Sequence, residues 1–487
     1  MRPSWKILVT VAATLLAVPQ LAWADAVEEQ LQQMQQRMSE LEDKLQATND
    51  ELETSKAKVD QQQELIEKAG IDEVRGAGSG MPAIEYLKLI EIDGFVAASF
   101  NWNFHNLGDE DTAQEDLDGE TAPSTVFGEN QGALGLTAPG HTNANSFQLD
   151  QLFFGIGKRA TMDSNSGFQA DIVYGAGADA NREGTFFTED EDDVDYDDHG
   201  TGDLPHLYQA YIEYLAPVGE NGISFKAGRF ATLIGAESFR QDSNFNITRG
   251  ANWALQPVNH TGLIMSGKCS RCSMDWAVGV VNSYSDTMSD RDNEKGVLGG
   301  LKWSGETLSF GTNVFYGGDA GDFLPWSYVS GFDDAGTGRS GDKVGVADAV
   351  LTWNPTDRLS TWANYDYYWV HNANSDLSTV NIHTIALASR FAVTEDTGVA
   401  LRGEYQWWAR LGEFGSGGAK PQLSYWTVTG TIDHSLTENL ILKLEGRYDI
   451  GRVRNQPDDL FLSGGDGPLA FDDNAQTLGL VQLLYKF

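Results

Sequence analysis

Cysteine is nearly absent. The 487 residues hold two, Cys269 and Cys272, which excludes a disulfide framework and any multi-cysteine metal centre. Bases are also scarce: Lys and Arg total 33 against 71 Asp and Glu, and the formal charge of −38 gives no bulk attraction to nucleic acid or anionic lipid. Past the first twenty residues no stretch is apolar enough to span a bilayer as a helix. What is plentiful is glycine, at 53, beside 13 Trp, 16 Tyr and 23 Phe, with proline modest at 13. That balance belongs to many strands joined by turns, so an all-β body is expected.

The N-terminus carries the one long apolar run. Arg2 and Lys6 precede the apolar run at residues 7–18, and Ala22-Trp23-Ala24 supplies small residues at the two positions that a signal peptidase reads. Residues 1–24 are therefore expected to be a cleaved secretory signal; the run is too short for the roughly 17–25 residues of a spanning helix. An exported chain without such a helix is either soluble or crosses an outer membrane as a β-barrel.

Residues 25–70 read as an α-helical coiled coil. Val27, Leu31, Met34, Met38, Leu41, Leu45, Thr48, Leu52, Ser55, Val59, Gln62 and Ile66 step by alternating fours and threes, a sustained heptad seam set among Gln, Glu, Asp, Lys and Arg. Such a polar helix needs a partner along its seam. Gly70, Gly76, Gly78, Gly80 and Pro82 then break the chain, giving a flexible linker at 71–84 ahead of a domain at 85–487.

That domain repeats one theme, period-two segments separated alternately by very short and by long polar connections. Sixteen are expected, at 89–103, 147–160, 167–175, 204–215, 222–230, 259–267, 275–282 and 295–303, then at 308–316, 342–353, 359–368, 381–391, 397–409, 422–432, 440–448 and 477–487. The faces are clearest late in the chain. Val399, Leu401, Tyr405 and Trp407 alternate with Arg402, Glu404 and Gln406, and Leu440, Leu442, Leu444 and Tyr448 with Lys443, Glu445 and Arg447. One face suits lipid and the other water, with Tyr and Trp near strand ends as in interfacial girdles. The chain closes on alternate apolar residues and a terminal Phe487, resembling the signal by which outer-membrane barrels are recognised for insertion. The expectation is an antiparallel transmembrane β-barrel of about 16 strands, with its short turns and the coiled coil on the periplasmic side of a Gram-negative outer membrane.

Residues 225–266, FKAGRFATLIGAESFRQDSNFNITRGANWALQPVNHTGLIMS, resemble the OmpL-like β-barrel porin family: Gly228-Arg229-Phe230 ends a strand, Gly235-Ala236-Glu237 opens a loop, and Arg249-Gly250 and Pro257 through Thr261-Gly262 lead into the next strand. The coiled coil also resembles that of phosphate-selective porins, although their basic ladder is not found in this sequence. The resemblance implies an outer-membrane porin passing small hydrophilic solutes or ions. Because closed porins commonly trimerise, a homotrimer among outer-membrane lipid and lipopolysaccharide is expected, while the seam alone leaves the number open.

A barrel of this size leaves a lumen too wide for side chains to close, so function rests on what narrows it. The connection 231–258 is the candidate constriction. Arg229, Arg240, Arg249, Glu237 and Asp242 are expected to set a transverse field there, with Lys226, Arg402, Lys443 and Arg447 projecting inward from strands; the alternative is that these charges wet the lumen and brace the loop. Residues 189–198 hold eight acids in ten, and Asp190, Asp192, Asp193 and Asp195 are the candidates for a weak divalent-cation site, against the plainer reading of a solvated loop. Cys269-Ser270-Arg271-Cys272 lacks both the thioredoxin context and the haem-attachment His, which leaves a local disulfide or structural pair. His371, His383 and His434 stand without a nucleophile elbow or zinc signature, so neither catalysis nor a cofactor is expected. A structural role, tethering the envelope through the coiled coil, is the competing class.

Overall fold

Apolar and polar residues alternating at period two become strand wherever the pattern is sustained. The computed structural model describes residues 46, 56, 88–104, 146–176, 206–269, 271–284, 295–318, 343–371, 380–410, 422–454 and 475–487. The strands are β1 (Glu91–Asn103), β2 (Phe147–Lys158), β3 (Ser166–Tyr174), β4 (His206–Ala216), β5 (Ile223–Ala231), β6 (Asn259–Cys269), β7 (Met274–Val281) and β8 (Gly296–Ser304). They continue with β9 (Leu308–Gly317), β10 (Lys343–Thr356), β11 (Leu359–His371), β12 (Val380–Ala392), β13 (Thr397–Arg410), β14 (Gln422–Ser435), β15 (Leu440–Arg454) and β16 (Ala475–Lys486). All sixteen expected segments form strands, with ends displaced by a few residues. The largest extension is β15, which runs through Gly451 to Arg454 because its ladder with β14 continues to the pair Gln422–Arg454. β10 runs on past Pro355 only through a register shift, as a residue without an N–H requires.

Each strand pairs antiparallel with its chain neighbours, and β1 with β16 closes the barrel. At the seam the Gly94 and Phe487 backbones exchange hydrogen bonds of 3.2 and 3.0 Å. A Cβ at Gly94 would strike the Phe487 ring, so the terminal aromatic sits where only glycine leaves room. Seven connections are short, the shortest being 357–358, and alternate with long ones at the other end. The Cys269–Cys272 disulfide spans one of the short turns, between β6 and β7.

The barrel is inside-out relative to a soluble sandwich. Leu401 is 60 % exposed on the outer face while its neighbour Arg402 is fully buried on the inner one. Exposed Trp303, Phe310, Trp353, Phe391 and Tyr485 band the short-turn end, and Tyr365, Trp407, Trp426 and Tyr448 band the other. The signal peptide, the linker and the acidic stretch with Asp190, Asp192, Asp193 and Asp195 lie outside the described residues. Of the expected coiled coil only Gln46 and Lys56 are described, both helical and exposed.

Candidate functional site

Residues 232–258 leave β5, enter the lumen and return to β6. Two glycines permit the path. Gly228, at φ 127°, lies so close to the Ala210 carbonyl of β4 that a Cβ would collide with it; Gly235, at φ 95°, abuts the Gln256 side chain. Within the segment lie a single turn of 3-10 helix, Gln241–Ser243, and a short helix, α1 (Ala251–Leu255).

The wall from β13 to β16 holds the segment by charged hydrogen bonds. Glu445 of β15 accepts from the Ile247 amide at 2.5 Å, the Thr248 amide at 3.0 Å and the Thr248 hydroxyl at 2.5 Å. Arg402 of β13 pairs with Glu237 at 2.5 Å and donates to the Thr248 carbonyl at 2.7 Å. Arg447 donates to the Arg249 carbonyl at 2.7 Å while pairing with Asp449, and Lys443 donates to the Asn244 carbonyl at 2.8 Å. The first amides of α1 have no partner within the helix, and the barrel supplies one. Glu404 accepts from Ala251 at 3.1 Å and Asn252 at 3.2 Å, and Glu237 accepts from Gly250 at 2.7 Å.

Other sectors attach it too. On β10 and β11, Asp348 accepts from the Gly235 amide, Asn364 from the Ala236 amide, and Gln256 donates to Asn364 and Asp366 at 2.9 and 2.8 Å. On β1 and β2, Asp93 pairs with Arg240 at 2.5 Å and Gln151 bonds the backbone of Phe239 and Gln241. Lys486 of β16 reaches the Asp242 carbonyl at 2.8 Å.

Apolar contacts fill what remains. Ile234, Ala251 and Leu255 pack with inward Phe230, Ile264, Val281, Leu298, Phe315, Val346, Tyr368, Ile382 and Trp408. Phe239 and Trp253 pack with Phe95, Phe153, Val173 and Tyr208 on the other side. Every one of the sixteen strands contributes at least one buried inward side chain. A lumen filled with water would leave such residues wet. Toward the short-turn end a cavity of about 560 Å³ persists, bounded by Leu233 and Gly235 above and by Ser224, Ser266, Ala277, Gly300, Lys302, Gly311 and Asn313 on the wall.

The site residues named from sequence therefore fall into three groups. Glu237, Arg249, Arg402, Lys443 and Arg447 are buried in the attachments of the segment. Arg249 lies 4.6 Å from the Trp253 ring and 5.2 Å from that of Phe239. Burial pulls its guanidinium down to about 10, with Glu237 opposing the shift, so it stays a cation at neutral pH. Arg240 and Asp242 form the second group: Arg240 keeps 28 % of its side chain exposed, paired with Asp93 and Asp242 over the Phe153 ring. Lys226, on the inner face of β5, donates to the Tyr211 hydroxyl at 3.3 Å with its ammonium 4.5 Å from the Tyr211 ring centre. Arg229 is buried, 3 % exposed, and its ladder partners are Ala210 and Thr261, one step out of phase with Lys226 along β5.

Sequence reasoning placed Glu404 and Glu445 on the wet face without a role and passed over Asp348, Asn364 and Asp366. The apolar inward residues were missed as well. Their signal is legible afterwards: Ile264, Leu298, Phe315, Val346 and Ile382 make both faces apolar toward the long-connection end, where a water-filled lumen asks for alternation.

The family described as "Putative beta-barrel porin-2, OmpL-like" matches residues 90–487. No curated protein sequence matches the chain. Among solved structures, the chain is similar to Pseudomonas putida OprB, with 11 % identity and a TM-score of 0.49 over 83 % of this chain and 96 % of that one. OmpT of Vibrio cholerae, folded in vitro in its trimer form, gives 10 % and 0.48 over 82 % and 99 %. The anion-selective porin from Comamonas acidovorans gives 8 % and 0.45 over 82 % and 99 %.

Proposed function

This chain belongs to the OmpL-like family of β-barrel porins, and we propose that it passes small hydrophilic solutes across the outer membrane by passive diffusion, at a rate set by residues 232–258. The observation that carries the reading is a closed sixteen-stranded barrel whose lumen is occupied by one of its own connections, hydrogen-bonded to the wall on several sides. Such a plug admits only what fits beside it, so the barrel's own width does not fix the size limit. In this reading Glu237, Arg249, Arg402, Lys443 and Arg447 position the plug. Arg240 and Asp242 keep partial exposure on the β1–β2 and β16 side, and Lys226 does so on β5.

The short turns face the periplasm and the long connections the exterior, as in other outer-membrane barrels. Residues 1–24 are removed on export, 25–70 form a periplasmic coiled coil that assembles a homotrimer, and 71–84 link it to the barrel. The aromatic bands rest at the boundaries with outer-membrane lipid and lipopolysaccharide. The acidic stretch at 189–198 gathers cations at the outer mouth.

Swelling of proteoliposomes in uncharged sugars tests the reading. Pentoses are expected to enter faster than disaccharides, and trisaccharides to be excluded. Inserted, folded protein that admits none of them contradicts it.

A further inference from the structure

The plug is not held equally on all sides. Polar bonds tie it to β1, β2, β10, β11 and every strand from β13 to β16. Among the described residues no hydrogen bond joins residues 232–258 to β8 or β9. From the β6–β7 side the described hydrogen bonds to it come from His260 at its root, 3.1 Å from the Thr232 hydroxyl, and from Tyr284 just past β7, which donates to the Leu255 carbonyl at 2.6 Å. Against β8 and β9 the contact is apolar alone. Leu298 and Phe315 are fully buried against the cluster that contains Ile234 and Leu255, and the Phe315 ring is stacked at 5.7 Å on His260 and edge-on at 5.3 Å to Tyr284.

Directly below that seam lies the cavity of about 560 Å³. Leu233 overhangs it, and a Cβ at Gly300 would come within 3.2 Å of the Leu233 side chain, so glycine keeps the gap between plug and wall. Open space thus reaches the apolar seam from the short-turn side, at a sector which, like β3–β4 and β12, shares no described hydrogen bond with the plug.

We propose that solute passes between the plug and β8–β9, through a hydrophobic gate in which Ile234 and Leu255 face Leu298 and Phe315. This rests on the porin reading above. A constriction lined only by apolar side chains excludes water until it widens, and conducts once polar groups wet it. Parting the sectors on β1–β2, β10–β11 and β13–β16 would strand buried donors and acceptors, whereas parting this one exposes hydrocarbon.

Single-channel recording on the full chain in planar bilayers tests the gate, using Leu298→Ser and Phe315→Ser with Phe153→Ser from the opposite apolar cluster as the matched control. Folding of each is verified by heat-modifiable gel mobility. The first two variants are expected to raise mean conductance or open probability about threefold or more by wetting the gate, with the control near the parent. The chain's only cysteines are joined to each other, so Ala277→Cys carries a lone free thiol in the cavity. A bulky thiol reagent there is expected to remove most of the current, and at Gln169→Cys, on the inner face of β3, to leave it. This second arm holds even if a serine variant fails to fold. A rise with Phe153→Ser alone, or block at Gln169→Cys and not at Ala277→Cys, places the path along β1–β4 and overturns the gate. Unchanged current in both serine variants also overturns it. Loss of current from every form, including a chain whose plug is replaced by a short linker, defeats the porin reading instead.

Discussion

Glu445 shows how much one inward carboxylate does. It takes three hydrogen bonds from Ile247 and Thr248 and a fourth from the Thr431 hydroxyl at 2.7 Å, so its removal strands two backbone amides inside the barrel. Each stranded buried donor costs about 1–3 kcal/mol, which is enough to release this stretch of plug without unfolding the wall. Glu445→Ala is expected to raise amide hydrogen exchange at residues 246–252 by about tenfold or more while leaving β14 and β15 protected. Equal protection in the variant contradicts an anchoring role. The sequence placed Glu445 and Glu404 on the inner face through alternation alone. It did not reveal their partners, because Ile247 lies 198 residues from Glu445 and Ala251 lies 153 from Glu404; contacts at that separation leave no local pattern.

At the scale of elements, strands were the legible part. A period of two, turn residues at fixed intervals and a terminal aromatic each constrain the backbone locally, and β13 and β15 display the alternation with little interruption. α1 was not legible. ANWAL is five residues with neither an amphipathic period nor a side-chain cap of its own, and its N-terminus is completed by Glu404 from across the lumen. The heptad pattern at 25–70 is the converse case, legible along the sequence, and in the proposed reading its seam is completed by other copies of the chain. If it assembles the trimer, deleting residues 25–70 removes the oligomer seen on unheated gels and leaves folded, conducting monomers. An oligomer that survives the deletion shows that the barrel walls alone hold the assembly.

At the scale of the whole molecule, the barrel is a frame and the plug decides what the frame can do. The outer face is fixed by lipid and the closure by β1 and β16, with Gly94 shaped to Phe487. Of the charges named from sequence, Glu237, Arg249, Arg402, Lys443 and Arg447 hydrogen-bond within the plug or between it and the wall, which accords with the alternative that they brace the loop. Arg402 and Arg447 are fully buried beside Glu404 and Asp449, where breaking either pair costs about 3–5 kcal/mol. Selectivity then falls to the few groups beside the remaining gap. Single-channel conductance, compared between the full chain and one in which residues 233–256 are replaced by a short Gly-Ser linker, tests this most directly. The account predicts small, flickering currents from the full chain and ohmic steps about tenfold larger from the replacement, as an unobstructed sixteen-stranded lumen requires. Equal conductance from the two would contradict it, since the segment would then lie outside the path of the ions.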